Sequence, residues 1–148
     1  MKFKLIIIFL FITSCGYTAL YKDYDEKTIL VKEKIFKGEN FLNNKIFNKL
    51  NTKESADSLG YTIEISSDKK TDLLSKNKSG EARVYKMTIT TKLIIKREGK
   101  NYINKNFVKN ITYNNLENKF DLIKYEKNLE DNLINQIAND IELELLNI

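Results

Sequence analysis

The sequence lacks the residue types on which most enzyme chemistry depends. It has no histidine, tryptophan or proline, and Cys15 is its one cysteine. Without histidine, the commonest general base near neutral pH and the commonest metal ligand are missing. One thiol forms neither an internal disulfide nor a thiolate metal site, and the five glycines are too scattered for a phosphate-binding loop. These absences argue against an enzyme, a metal or a cofactor. A hydrolase that uses carboxylates alone stays open, although no acidic pair is set apart by its spacing.

The charge is mildly basic. The 148 residues carry a formal net charge of +5, which falls to +3 if a segment containing Lys2 and Lys4 is removed. Proteins that bind nucleic acid through their charge are far more basic, so no nucleic-acid partner is expected. The length is sufficient for one domain with its own core.

The N-terminus has the three parts of an export signal. Lys2 and Lys4 form a basic segment, residues 5–12 are apolar, and small residues precede Cys15. The apolar run is too short to cross a membrane, which takes about 20 apolar residues. The residues alone are consistent with a cleaved signal, an uncleaved anchor, or a secretory signal with a chance cysteine.

The residues around Cys15 resemble the lipobox of bacterial lipoproteins. Ser14 precedes the cysteine, Gly16 follows it, and Ile12 stands three positions before it, where Leu is usual. The resemblance implies that the thiol is acylated and that the chain is cut just before it. Residues 1–14 are then a lipoprotein signal peptide, and residues 15–148 are one domain tethered to lipid. Gly16, which is not Asp, favours the outer membrane by the sorting rule of enterobacterial lipoproteins.

Apolar periodicity predicts six elements in the order strand, helix, three strands, helix. The strands are expected at residues 28–36, 61–66, 85–96 and 102–113, and the helices at 40–51 and 121–147, the second capped by Asp121. Lys105 and Lys109 fall on the apolar side of the last strand, which makes its inward face less certain. The expected fold is α+β: a two-layer sandwich with two helices packed on one face of a four-stranded mixed sheet.

Residues 68–81 are predicted to be a long polar loop, and basic residues cluster in and just beyond it. Loops of this length are usually functional or disordered. One interpretation is a solvated hairpin tip, and the other is a patch for a phosphorylated or otherwise anionic ligand. Arg83 is the better anchor for such a ligand because a guanidinium grips phosphate with two hydrogen bonds.

The chain also resembles the lipopolysaccharide-assembly lipoproteins of the LptE family, in particular the alphaproteobacterial type. The resemblance begins at the start of the mature chain, with Cys15-Gly16-Tyr17 followed by Leu20-Tyr21, and continues with Arg83 at the entry to a long strand. It also includes the end of the last strand and parts of the last helix: Thr112-Tyr113-Asn114, Phe120, Tyr125-Glu126 and Ile137-Ala138-Asn139-Asp140-Ile141. Two features depart from the family pattern. Ala19 stands where the family usually has Pro, and the last helix is poorer in alanine and arginine.

The resemblance implies an outer-membrane lipoprotein on the periplasmic face that plugs the LptD β-barrel and helps it insert lipopolysaccharide into the outer leaflet. Its expected partners are an LptD-like barrel, lipopolysaccharide, and membrane lipid through acylated Cys15. Arg83 is carried over from the family as a lipopolysaccharide-binding residue. Charge alone adds Lys76, Lys78 and Lys86.

The polar face of the strand at 85–96 is the surface expected to meet the barrel, through Thr88, Thr90 and Lys92. Two alternatives remain for the protein as a whole. One is a small accessory lipoprotein of the barrel-assembly machinery. The other is a stand-alone periplasmic lipoprotein that binds an anionic ligand, which needs a concave apolar pocket.

Overall fold

The computed structural model describes residues 28–55 and 60–148. The predicted signal peptide and the lipidation residue Cys15 lie outside these residues. The described chain forms five strands and two helices: β1 (Ile29–Gly38), α1 (Asn40–Phe47), β2 (Thr52–Glu54), β3 (Tyr61–Lys76), β4 (Ala82–Arg97), β5 (Lys100–Asn114) and α2 (Lys119–Leu145).

The five strands make one mixed sheet in the order β2-β1-β3-β4-β5. β1 runs parallel to both β2 and β3, with Val31 opposite Tyr61. β3, β4 and β5 form an antiparallel meander of 15- and 16-residue strands. Strands of this length extend the sheet well beyond the three-residue β2.

Both helices cover the same face of the sheet. Because side chains alternate across a strand, β3 and β4 turn Ile63, Ile65 and Ile89 to one side, where they are fully buried. α1 and α2 pack against this side and touch each other, and their own buried residues complete the core: Leu42, Ile46, Leu133, Ile134, Ile137 and Ile141.

The expected mixed α+β architecture with two helices is confirmed, and the expected number of strands was one too few. The missing strand, β2, lies just after α1. α1 ends at Phe47, not near residue 51, and the chain then turns so that residues 52–54 pair with β1. A three-residue strand has too few side chains to show an alternating pattern.

The predicted loop at residues 68–81 was wrong. β3 continues to Lys76 and β4 begins at Ala82, so the connection is a short turn. The Asn77 side-chain oxygen accepts hydrogen bonds from the backbone N–H groups of Ser79 (3.0 Å) and Glu81 (2.9 Å), and Gly80 supplies a positive φ of 84°. This part of β3 is mostly exposed on both faces, so it has no apolar alternation. The pairing with β4 makes it a strand.

The last helix starts earlier than predicted. α2 begins at Lys119, and Asn118 caps it by accepting a hydrogen bond from the Phe120 N–H at 2.9 Å. Asp121, the expected cap, lies in the first turn, where a negative charge favours the helix dipole.

The two lysines on the apolar side of β5 are explained by α2. Lys109 Nζ lies 2.7 Å from an Asp140 carboxylate oxygen, and Lys105 pairs with Glu144. Both lysines therefore face the helix layer, as their position in the alternation indicates. Their charges are balanced by carboxylates on the helix that packs against the strand.

Candidate functional site

The first candidate site is the face of the sheet opposite the helices, here called the open face. Thr88, Thr90 and Lys92 lie on it, because the residues between them in β4 are buried against the helices. Across β3 their neighbours are Lys70, Asp68 and Ser66, and across β5 they are Asn110, Val108 and Asn106.

The chemistry of the open face over β3–β5 is that of hydrogen bonding to a polar surface. Hydroxyl, amide and charged groups dominate it, and pairs such as Lys70–Asp72 (2.8 Å) balance part of its charge. No ion pair to Lys86 or Lys92 occurs within the described residues. Lys86 is therefore available to a partner on this side, whereas the charge of Lys92 already contributes, after Lys37, to lowering the pKa of Glu64.

The second candidate site is an open cleft of about 1000 Å³ at the end of the β3–β4 hairpin, here called the hairpin cleft. The hairpin, the end of β5 and the first turns of α2 surround it. Arg83 reaches it because it shares the helix side of β4 with Tyr85, and the Asn115 N–H donates to the Arg83 carbonyl at 2.8 Å. This bond ties the link between β5 and α2 to the strand that carries the guanidinium.

The hairpin cleft combines cations with exposed apolar side chains. Arg83 and Lys119 line it, and neither forms an ion pair within residues 28–55 and 60–148. Leu116 and Ile123 also line it. The Ile123 side chain is 65% exposed, and the neighbouring Phe120 is 75% exposed. Glu81 and Glu117 line the cleft as well, so it holds two cations, two carboxylates and exposed apolar side chains. The two cations are the groups that could bind the anionic part of an amphipathic ligand.

Three tyrosines hold the start of α2 on the sheet behind this cleft. Tyr113 stacks on Tyr85 with ring centres 5.7 Å apart, and it meets Tyr125 edge-on at 6.1 Å. The Tyr113 hydroxyl donates to a Glu126 carboxylate oxygen at 2.5 Å. Burial and the nearby carboxylate raise the pKa of Tyr113, so the hydroxyl stays protonated as a donor. Residues that carry the sequence resemblance at the strand end and at the helix start thus contact one another.

The structure divides the predicted ligand-binding residues between two places. Lys76 ends β3 and Lys78 lies in the turn, so both are at the same end of the hairpin as Arg83, but neither lines the hairpin cleft. Lys86 lies on the open face, opposite Asp72 and Thr112.

Sequence analysis missed the part of the hairpin cleft that α2 supplies, namely Lys119 and Ile123. A signal was present, because Phe120 and Ile123 are apolar but fall outside the periodic stripe of Leu122, Tyr125 and Leu129. The structure leaves both of these off-stripe residues exposed.

Two absences characterise the described part of the chain. Within residues 28–55 and 60–148, no three histidine, cysteine, aspartate or glutamate side chains are grouped so that they could hold a metal ion. Neither helix is long and apolar enough to cross a bilayer.

The sequence matches no protein-family model and no characterised protein. The fold, in contrast, is similar to solved lipoprotein structures. Rare lipoprotein B from Shewanella oneidensis superposes with a TM-score of 0.61 at 12% identity, over 78% of this chain and 95% of that one.

Two further structures superpose on the chain in the same way. A minor lipoprotein from Acinetobacter baumannii superposes with a TM-score of 0.59 at 14% identity, over 78% of this chain and 91% of that one. Lipoprotein B from Nitrosomonas europaea superposes with a TM-score of 0.54 at 11% identity, over 78% of this chain and 84% of that one. At these identities the likeness establishes a shared fold.

Proposed function

We propose that this chain is an outer-membrane lipoprotein of the LptE type, anchored through Cys15, that plugs an LptD-like β-barrel during insertion of lipopolysaccharide. The fold similarity to bacterial lipoproteins and the sequence resemblance around Cys15 support the anchor and the family. The observation that carries the proposal is the open face: long strands covered by helices on one side and left polar on the other.

The open face has the chemistry that a barrel lumen requires. The interior of an outer-membrane barrel is polar, and its wall offers hydrogen-bonding side chains. Thr88, Thr90 and Lys92 form a row that would face such a wall. The helices would point away from that wall and keep the plug rigid, since they carry the core.

The hairpin cleft is proposed as the place where the plug binds lipid. Arg83 would hold a phosphate of the lipopolysaccharide. Lys76 and Lys78 lie at the same end of the hairpin without lining the cleft, so they would add positive charge nearby. Lys119 extends this set from α2. Lys86 would instead belong to the barrel-facing surface, because it lies on the open face.

The first test is recovery of the partner. The tagged full-length protein, purified from detergent-solubilised membranes, is expected to bring one large barrel protein with it in near-equal amount. Mass spectrometry of the same preparation is expected to show an acylated Cys15. Recovery of the chain alone would count heavily against the proposal. A barrel with periplasmic repeat domains would instead identify an accessory lipoprotein of the barrel-assembly machinery.

The second candidate function, a stand-alone lipoprotein that binds an anionic ligand, is favoured by one observation. Three apolar side chains that belong to no buried stripe, Leu116, Phe120 and Ile123, are exposed at or beside the hairpin cleft. Binding of an anionic lipid by a chain that co-purifies with no barrel would favour this function.

Arg83→Ala is expected to weaken lipopolysaccharide binding roughly tenfold or more, because a hydrogen bond to a charged group is worth about 1.5–3 kcal/mol. Thermal stability and barrel recovery should stay unchanged, since Arg83 is exposed. The measurement is binding of labelled lipopolysaccharide to the purified full-length protein.

Arg97→Ala is the matched control. Arg97 is at the other end of β4, where its guanidinium lies 5.4 Å from the centre of the Tyr61 ring. Its loss is expected to leave lipid binding unchanged. If Arg83→Ala lowers stability, barrel recovery and lipid binding together, Arg83 has a structural role.

A further inference from the structure

The backbone around Arg83 departs from the regular strand pairing on both sides. In the pairing with β3, Val84 lies opposite Ser75 and Ala82 lies opposite Lys76. One step along β3 therefore matches two steps along β4, and Arg83 is the extra residue. The ladder with β5 begins only at Val84. An extra residue of this kind is a β-bulge, which bends the strand and can re-aim a side chain at a functional site. The placement of the guanidinium thus depends on contacts outside the two ladders.

Asn115 supplies such contacts from the link between β5 and α2. Its backbone N–H donates to the Arg83 carbonyl at 2.8 Å, and its side-chain Nδ2 donates to the Ala82 carbonyl at 2.9 Å. One residue therefore bonds two neighbouring carbonyls at the bulge. Two bonds fix the orientation of the strand end relative to the link, as well as its distance.

The hairpin turn itself is held by its own hydrogen bonds. The Asn77 N–H donates to the Glu81 carbonyl at 2.9 Å, and Asn77 Nδ2 donates to the Glu81 carboxylate at 2.7 Å. Together with the bonds that the Asn77 side-chain oxygen accepts, they make the turn one unit. The bonds from Asn115 begin at the next residue, Ala82, and so place this unit relative to α2.

The link that carries Asn115 also leads to the other wall of the hairpin cleft. Three residues after Asn115, Asn118 caps α2 by accepting from the Phe120 N–H. Lys119 is the first residue of the helix and lines the cleft with Arg83. Asn115 thus lies between the two cations along the chain of contacts, and its bonds couple the placement of one to that of the other.

We propose that Asn115 is a positioning residue for the hairpin cleft, which holds the bulged end of β4 so that Arg83 and Lys119 act on the same anionic group of a ligand. This inference rests on the lipid binding proposed above and adds to it a residue that acts through Arg83. Cations that are already in place bind an anion more tightly than mobile ones, because less conformational freedom is lost on binding.

A double-mutant cycle tests this role with labelled lipopolysaccharide and the full-length protein. Asn115→Ala removes the side-chain bond and is expected to weaken binding roughly two- to tenfold, the worth of one hydrogen bond. The fold is expected to persist, since Asn115 is exposed. In the Arg83→Ala background the same substitution should weaken binding by less than about twofold, because residues that act as a unit are not additive. Equal effects in both backgrounds, or no loss in the single variant, would overturn the proposal.

Asn44→Ala is the matched control for the cycle. Asn44 is also exposed, and its Nδ2 donates to the Asn40 carbonyl at 2.8 Å within α1, which does not line the cleft. Its replacement removes the same kind of bond and is expected to leave lipopolysaccharide binding unchanged. A loss equal to that of Asn115→Ala would contradict the proposal.

Hydrogen exchange without ligand separates this inference from the proposed function. The protection factor of the residue-115 amide, which donates to the Arg83 carbonyl, is expected to fall at least fivefold in Asn115→Ala. Amides at the centre of the β4–β5 ladder should keep their protection. An unchanged protection factor at residue 115 would overturn the proposal whether or not lipid binds. A fall there, in a chain whose wild type binds no lipopolysaccharide, would support the positioning by Asn115 and overturn the proposed lipid binding.

Discussion

Gly38→Ala is expected to lower the free energy of unfolding by about 3 kcal/mol or more. Gly38 ends β1 with a φ of +71°, and an added Cβ would lie 2.5 Å from the backbone oxygen of Ser67 in β3. The left-handed backbone alone costs roughly 1–2 kcal/mol for a residue with a side chain. The same oxygen accepts a hydrogen bond from the Glu39 N–H at 2.9 Å. Relief of the overlap would stretch that bond and the β1–β3 pairing as well.

Chemical denaturation measures this loss, and Gly99→Ala separates its two causes. Gly99 has a similar φ of +76°, but a Cβ there would meet no atom within 4 Å. Its replacement is expected to cost only about 1 kcal/mol, from the backbone conformation. If the two alanine variants lose the same stability, the close approach of Gly38 to Ser67 adds nothing to the cost of the backbone conformation, and the prediction is wrong.

Glu130→Ala is expected to cost about 3 kcal/mol of stability. Glu130 is only 7% exposed, and its two carboxylate oxygens accept from Lys69 at 2.6 Å and from Lys45 at 3.3 Å. One carboxylate thus joins α2 to both β3 and α1. Removing one member of a buried ion pair typically costs about 3–5 kcal/mol because its partner is left uncompensated. The lower end applies because Lys69 is partly exposed and Lys45 retains Asp131 at 2.8 Å.

Glu54→Gln is the control for this second prediction. Glu54 pairs with Lys34 at 3.2 Å on the surface, where the Glu54 side chain is 82% exposed. Its replacement is expected to change stability by no more than about 0.5 kcal/mol. Similar small losses in both variants would show that water solvates Lys69 and Lys45 once the carboxylate is gone.

The parts of the fold that the sequence predicts well are those in which one face is buried. β4 alternates from Tyr85 to Lys96, because the helices cover one side of it and leave the other side open. The outer half of β3 is a strand for a different reason. Residues 68–76 have little buried surface, and their conformation depends on the ladder with β4. A pattern of side chains within one segment does not contain that information.

The same distinction applies to the candidate sites. The open-face row of Thr88, Thr90 and Lys92 follows from alternation, and so does the separation of Arg83 from Lys86. The hairpin cleft does not follow from alternation, because only the packing of α2 on β5 brings Lys119 and Ile123 to the same cleft as Arg83. The role of Lys105 and Lys109 was also hidden, since their partners lie more than 30 residues away in the chain.

The parallel pairing of β1 with β3 determines which end of the sheet the first described residues occupy. β1 enters the sheet near the start of β3, whereas Arg83 lies beside the other end of that strand. At about 3.3 Å per residue, β3 separates these points by roughly 50 Å. The first described residues and the hairpin cleft therefore lie at opposite ends of the long strands of the sheet.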